Sequence, residues 1–408
     1  MNGNLHRKGV EPAGPVRTRN GTLLECQRHL FWLPDDVHYL NCAYMSPLLR
    51  SVEEAGIAGM RRKRLPSDIV PADFFTERDR VRALCARLIN APDPSRVALV
   101  PAASYGLAVV ARNTRLEKGQ NIVIVEEQFP SNVYVWMRLC REAGGELRTV
   151  PRPRGPSAGS VWTERVLEAM DEATAVVAMP HVHWTDGTRF DLLRIGARAR
   201  ELGAALVVDG TQSVGALPFD VRAIQPDALV CAAYKWLLGP YGTGVAWYGP
   251  RYDGGVPLEE TWLAREGSED FRALVRYRDA YQPGAVRYDA GGSPNFILVP
   301  MLVAALEQVL AWTPEAIQAY CTALTRELLE ESAALGFGVE EEAWRAGHLF
   351  GLRMPAGVDL TRAQALLAER RISVSLRGSA MRVSPHVYND ERDIEALRAA
   401  LHAIARVA

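Results

Sequence analysis

The stretch Ala205-Leu206-Val207-Val208-Asp209-Gly210-Thr211-Gln212 is an apolar run that ends in a carboxylate and a polar turn. A strand that is apolar at every position is buried on both faces, the situation of a parallel sheet covered by helices. Working outward, six further short β-like runs follow the same rhythm, most of them apolar throughout: Val97-Val100, Asn121-Val125, Glu146-Val150, Ala175-Met179, Ala228-Cys231 and Gly244-Tyr248. Between them lie amphipathic stretches of helical period, such as Glu77-Ile89, Asn132-Ala143, Val161-Met170 and Leu192-Leu202, several closed by Gly. The alternation predicts an α/β fold with a mainly parallel, seven-stranded sheet flanked by helices.

After about residue 296 the rhythm changes to a long helix over Phe296-Ala311, a second over Pro314-Leu335, and then short strand-like and helical pieces. The organisation expected is a flexible N-terminal tail over 1–30, a large domain over 31–295 and a smaller C-terminal α+β domain over 296–408. With 408 residues against a prior of ~150 per domain, more than one domain is also what length suggests.

Composition narrows the function. The chain is 48% hydrophobic and 23% charged, with 47 Lys plus Arg against 48 Asp plus Glu, so no net field draws it to nucleic acid or anionic lipid. No apolar run approaches the ~20 residues of a membrane span, and the first twenty residues lack the apolar core of a secretion signal. Six cysteines without a CxxC pair fit a reducing compartment, and a cytoplasmic location is expected. The expected partner is a small molecule.

In open sheets of this kind, ligands sit beyond the carboxyl ends of the strands. There the sequence is chemically rich. Asp209 ends one run, and Cys231-Ala232-Ala233-Tyr234-Lys235-Trp236 places a lysine after the next. Ser104, Tyr105 and Gly106 open a helix directly after Val97-Val100, where free backbone N–H groups and the helix dipole favour a phosphate. Neither a GxxxxGK[ST] loop nor a helix-opening GxGxxG is present, which disfavours ATP and nicotinamide cofactors. His181 and His183 alternate along the segment after Met179, but no third ligand stands at a recognisable spacing and no metal is expected.

Taken in order, Tyr39-Leu40-Asn41 with Ser46-Pro47, Ala103-Ser104-Tyr105-Gly106, Phe129-Pro130-Ser131-Asn132, Asp209-Gly210-Thr211-Gln212, Tyr234-Lys235 and Arg382-Val383-Ser384-Pro385 with Tyr388-Asn389 resemble the motifs of one family. It is the class V aminotransferase branch of the fold-type I pyridoxal phosphate enzymes, which includes cysteine desulfurases, kynureninases and isopenicillin N epimerase-like proteins. The resemblance spans about residues 38 to 395. It implies pyridoxal 5'-phosphate as cofactor, with Lys235 forming the Schiff base and then moving protons at the substrate carbon. Asp209 would keep the pyridine nitrogen protonated, making the ring an electron sink. Gln212 would donate to the phenolic oxygen, Phe129 would stack on the ring, and Tyr234 would reach the phosphate beside Ser104 and Tyr105.

The family counterpart of Arg382 grips the substrate α-carboxylate as a bidentate fork. Amino acids are the implied substrates, with Asn41 and His183, or its neighbour Trp184, as further contacts. The stretch Arg287-Tyr288-Asp289-Ala290-Gly291-Gly292-Ser293 resembles a loop that reaches the phosphate of a neighbouring subunit, which makes Gly292 and Ser293 candidate cofactor contacts and implies a homodimer with shared sites. Within the family, residues 358 to 381 hold no cysteine, against a persulfide-forming desulfurase. Phe129-Pro130-Ser131 is kynureninase-like, but Gln212 stands where kynureninases usually carry His. The expected reaction is transamination, with a lyase acting by β-elimination or decarboxylation, and an epimerase, as alternatives.

Overall fold

The structure is a computed structural model, which describes residues 17–153, 155, 157–378 and 380–406. Its centre is a seven-stranded sheet formed by β1 (Val97–Val100), β2 (Asn121–Val125), β3 (Glu146–Val150), β4 (Thr174–Pro180), β5 (Ala205–Asp209), β6 (Ala228–Ala232) and β7 (Gly244–Tyr248). Their spatial order is β1-β7-β6-β5-β4-β2-β3. Only β7 runs against the others, pairing antiparallel with both β1 and β6. All seven sequence-expected runs are strands, within one residue at either end.

Period-two alternation splits these strands between two cores. Leu99, Val123, Val177, Met179, Leu206, Val208, Leu229 and Val245 belong to one cluster, and Val100, Ile122, Val176, Ala178, Val207, Val230 and Ala246 to the other. Helices cover both faces, among them α1 (Arg50–Arg62), α2 (Thr76–Leu88), α3 (Ala103–Arg112), α4 (Ser131–Ala143), α5 (Ala158–Ala169) and α6 (Leu192–Glu201). The polar strand Glu146–Val150 lies at the sheet's edge, where one row of backbone groups is left unpaired.

Helix α7 (Leu298–Trp312) lies against α1 and α2. The approach is close because α1 presents Gly59, whose missing Cβ would stand 2.0 Å from the Phe296 carbonyl oxygen. Beyond it, α8 (Pro314–Ala334), α9 (Leu360–Glu369) and α10 (Glu391–Ala405) surround a three-stranded antiparallel sheet of β8 (Phe350–Arg353), β9 (Ser375–Arg377) and β10 (Ala380–Val383), in the order β9-β10-β8. One face of that sheet, with Phe350, Leu352, Met381 and Val383, packs on Leu328, Ile394, Leu397 and Leu401. The opposite face, with Gly351, Arg353, Ser375, Arg377, Ala380 and Arg382, looks toward the large sheet: the Gly351 N–H donates to the Asp186 carbonyl at 2.9 Å.

Residues 1–16 of the expected N-terminal tail lie outside the described residues. From Gln27 onward the segment is anchored. Arg28 is buried and donates to the carbonyls of Pro34 and Val37 and to Asp393. His38–Tyr39 pairs in parallel with Ile372–Ser373 as a separate two-stranded sheet, which ties the amino-terminal segment to the residues just before β9. No helix among the described residues is long and apolar enough to cross a membrane.

Candidate active site

At the carboxyl edge of the large sheet the chain leaves each strand into a loop or helix, and the strand ends enclose a cavity of about 230 Å³. Its wall is assembled from Ala102–Ser104 after β1, Gln128 and Phe129 after β2, Pro180, Val182 and Trp184 at and after β4, and Asp209, Thr211 and Gln212 at and after β5. Tyr234 and Lys235 after β6, and Tyr241–Thr243 before β7, complete it. Six of the residues singled out from sequence therefore converge: Ser104, Phe129, Asp209, Gln212, Tyr234 and Lys235.

Lys235 is the most informative of them. Only 6% exposed, its ammonium is stripped of water, and burial brings its pKa down from 10.5 to about 8 although Asp209 pulls it upward. Nζ sits 5.4 Å from the centre of the Phe129 ring and 5.6 Å from that of Tyr234. Asp209 is also buried, and desolvation raises its pKa against the opposing pull of Thr211 and Lys235. The Thr211 backbone N–H donates to it at 3.0 Å.

Gln212 is held on two sides. Its Nε2 donates to the Ala43 carbonyl at 3.1 Å and its Oε1 accepts from Trp236 Nε1 at 2.9 Å. One amide N–H remains for a ligand. At the start of α3, the N–H groups of Tyr105 and Gly106 return to the Ala102 carbonyl, while those of Ala103 and Ser104 have no backbone acceptor among the described residues. These are the orphan donors of a helix N-terminus, open to the cavity.

Other expected residues are not brought to the wall. Tyr105 is one position, a rotation of ~100°, past Ser104 on α3, so its ring packs into the second core cluster beside Glu259. His183 is fully buried: a turn donating from its N–H to Thr188 and from Gly187 to its carbonyl carries the ring inward. There it packs on Trp162, with Nδ1 2.8 Å from Thr185 Oγ1, and Trp184 lines the cavity in its place. Asn41 and Arg382 lie behind the wall, joined through Ser375. Its hydroxyl donates to Asn41 Oδ1 at 2.9 Å and accepts from Arg382 Nη2 at 3.3 Å, while Arg382 Nη1 donates to the Trp184 carbonyl at 2.9 Å.

Gly292 and Ser293 line a separate cavity that shares Pro101, Gly242 and Thr243 with the first. The Ser293 hydroxyl lies within hydrogen-bond distance of Arg78 and Asp289. Tyr241, whose ring centre is 4.6 Å from that of Tyr234, was not anticipated from sequence. Its only signal was the turn-rich Gly239–Gly244 segment directly after the lysine.

This donor set fits pyridoxal 5'-phosphate. It offers a buried amine of lowered pKa, a buried carboxylate, free N–H groups at a helix start for the phosphate, and an aromatic ring over the amine. The family model of class V aminotransferases matches residues 71–401. Isopenicillin N epimerase from Streptomyces clavuligerus is 28% identical over 382 residues, 90% of this chain and 94% of that protein. A cysteine desulfurase from Cronobacter sakazakii is 28% identical over 274 residues, 65% of this chain and 64% of that protein. Among solved structures, a C-DES variant with glycine covalently linked to its pyridoxal phosphate cofactor superimposes with a TM-score of 0.80 at 19% identity, covering 93% of this chain and 99% of that one, which shows the shared fold. The chain belongs to the class V aminotransferase family and is a fold-type I enzyme whose cofactor is pyridoxal 5'-phosphate.

Proposed function

We propose that the protein transfers the amino group of an amino acid, with Lys235 as the single base that works at the substrate α-carbon. The observation that carries this reading is the composition of the cavity wall: among the described residues Lys235 is its one amine, and neither a histidine nor a cysteine lines it. When bound, the cofactor supplies an electron sink for the charge that develops at the α-carbon. Asp209 holds the proton on the ring nitrogen, the open start of α3 binds the phosphate, and Phe129 fixes the plane of the ring. Lys235, with a pKa of about 8, is neutral often enough near physiological pH to take the α-proton, and protonated often enough to deliver one.

The Phe129 ring, whose centre is 5.4 Å from the amine, neither accepts nor donates a proton, which supports one-base chemistry over a two-base epimerisation. Cys42, the cysteine whose charge bears on Lys235, is fully buried, and burial pushes its thiol up to about 12, which supports the reading against a persulfide route. In this proposal Arg382 takes the α-carboxylate in exchange for the Trp184 carbonyl. Gly292 and Ser293 serve the phosphate of a partner subunit in a homodimer.

The test is exchange of the substrate α-proton in D2O, followed by NMR across a panel of amino acids. Wild-type enzyme is expected to exchange the α-proton of its donor, and Lys235→Ala to abolish that exchange. Undiminished exchange in Lys235→Ala contradicts the single-base reading.

A further inference from the structure

A second and larger cavity, a groove of about 840 Å³, adjoins the first and shares Gln128 and Trp184 with it. Its charged lining residues are Glu126, Glu127, Arg152, Arg353 and Arg377, and Asp186 faces it from below through Arg152 and Arg353. Most of these charges are used within the protein. Glu126 accepts from the Arg152 backbone N–H at 2.7 Å. The Arg152 guanidinium pairs with Glu127 at 2.6 Å and with Asp186, and Arg353 lies 3.6 Å from Asp186.

Arg377 is different. Among the described residues no carboxylate lies within 4.0 Å of it. Among the described residues its Nη1 donates to the Leu376 carbonyl alone, at 2.9 Å, and its buried Nε has no partner. The guanidinium stands 5.5 Å from the centre of the Trp184 ring, the residue that separates the two cavities.

Strand register explains why it is there. Ser375 pairs with Arg382 and Arg377 with Ala380, so Arg377 and Arg382 are diagonal neighbours on one face of the small sheet. Their Cβ atoms are then roughly 7 Å apart. Arg382 also has an unpartnered Nε and no carboxylate partner among the described residues. Two cations without a carboxylate partner among the described residues thus share a face beside Trp184, and the Arg382 guanidinium falls to about 10 through burial and then through the charge of Arg377.

We propose that Arg377 is a specificity-determining residue that binds a second carboxylate, carried on the side chain of the amino-acid substrate, so that the preferred substrates are acidic amino acids. The proposal deepens the reading of the first cavity as an amino-acid site and rests on it. A ligand with two carboxylates neutralises both arginines at once, and its side chain passes Trp184 from one cavity into the other. A planar guanidinium fork with no carboxylate partner among the described residues is suited to bidentate capture of such a group.

The experiment compares the cofactor-loaded enzyme with Arg377→Ala and Arg377→Lys. It uses L-norvaline, L-aspartate, L-glutamate and L-2-aminoadipate as donors, with calorimetric titration by glutarate, which has no amino group to react. The expected result is a wild-type preference for acidic donors that falls about 10- to 100-fold in Arg377→Ala. Arg377→Lys is expected to recover part of it, and glutarate affinity to weaken in parallel. Equal losses on L-norvaline and L-glutamate overturn the proposal, because Arg377 then serves a group common to all amino acids. Absence of an acidic preference in the wild type also overturns it, as does glutarate binding indifferent to the substitution. If no amino acid reacts yet glutarate binding depends on Arg377, the anion site stands and the aminotransfer reading is the one that fails.

Discussion

Capture of the cofactor by Lys235 should depend on pH in a way that an ordinary lysine cannot reproduce. Only the neutral amine attacks an aldehyde, and burial brings this amine from 10.5 to about 8, so its neutral fraction at pH 7 is about 300-fold larger than for an exposed lysine. The direction follows from the sign of the shift: below the folded pKa each rise in pH frees more amine, and above it no more is gained. In stopped-flow reconstitution of cofactor-free protein, followed by the visible band of the lysine–cofactor adduct, the rate is expected to rise with unit slope up to about pH 8 and then level off. Removing the carboxylate that pulls the pKa upward, by Asp209→Asn, moves the plateau to lower pH; removing a neighbouring cation, by Arg382→Gln, moves it to higher pH. A rate that keeps climbing to pH 10 would refute the reasoning, since it is the behaviour of a solvated lysine.

Two further expectations concern the walls of the site. Gly187→Ala should destabilise the protein by about 3 kcal/mol, because φ is +77° there and a Cβ would stand 1.8 Å from the Leu349 carbonyl oxygen; an unchanged thermal unfolding midpoint contradicts this. The Cys42 thiol, pushed up to about 12 in a fully buried position, should resist alkylation by iodoacetamide at pH 8 in the native protein and react once unfolded; rapid native labelling on peptide mapping contradicts the burial argument.

The large sheet was legible because its inner strands are apolar in all but a terminal position, as strands are when helices cover both of their faces. Asp209 and Lys235 were legible for a related reason: Asp209 ends one such strand and Lys235 stands three residues past the end of the next, so the strands fix where the side chains emerge. Legibility ended where the local backbone path decides. Ser104 and Tyr105 are adjacent in sequence, but a helix turns them apart, and only Ser104 meets the cavity. The alternation of His181 and His183 suggested side chains facing the same way, yet the turn closed by Gly187 folds His183 onto Trp162 and leaves Trp184 at the wall.

Arg382 was identified from its motif, but its burial behind the Trp184 carbonyl depends on the register between two short strands. That register also brings Arg377 alongside it. A period-two reading of Ser375-Leu376-Arg377 with the following Gly378 as a turn would have pointed to a shared face, though not to the groove it opens on.

Single-base amino transfer is tested most directly by titrating the cofactor-loaded enzyme with its amino-acid donor in the absence of any keto acid, with absorbance and product mass recorded together. The visible band is expected to be lost stoichiometrically, with one keto acid released per site and the amino group retained on the enzyme until a keto acid is added. Persistence of the band while ammonia and a fragmented side chain accumulate over many turnovers would contradict it and make the protein a lyase.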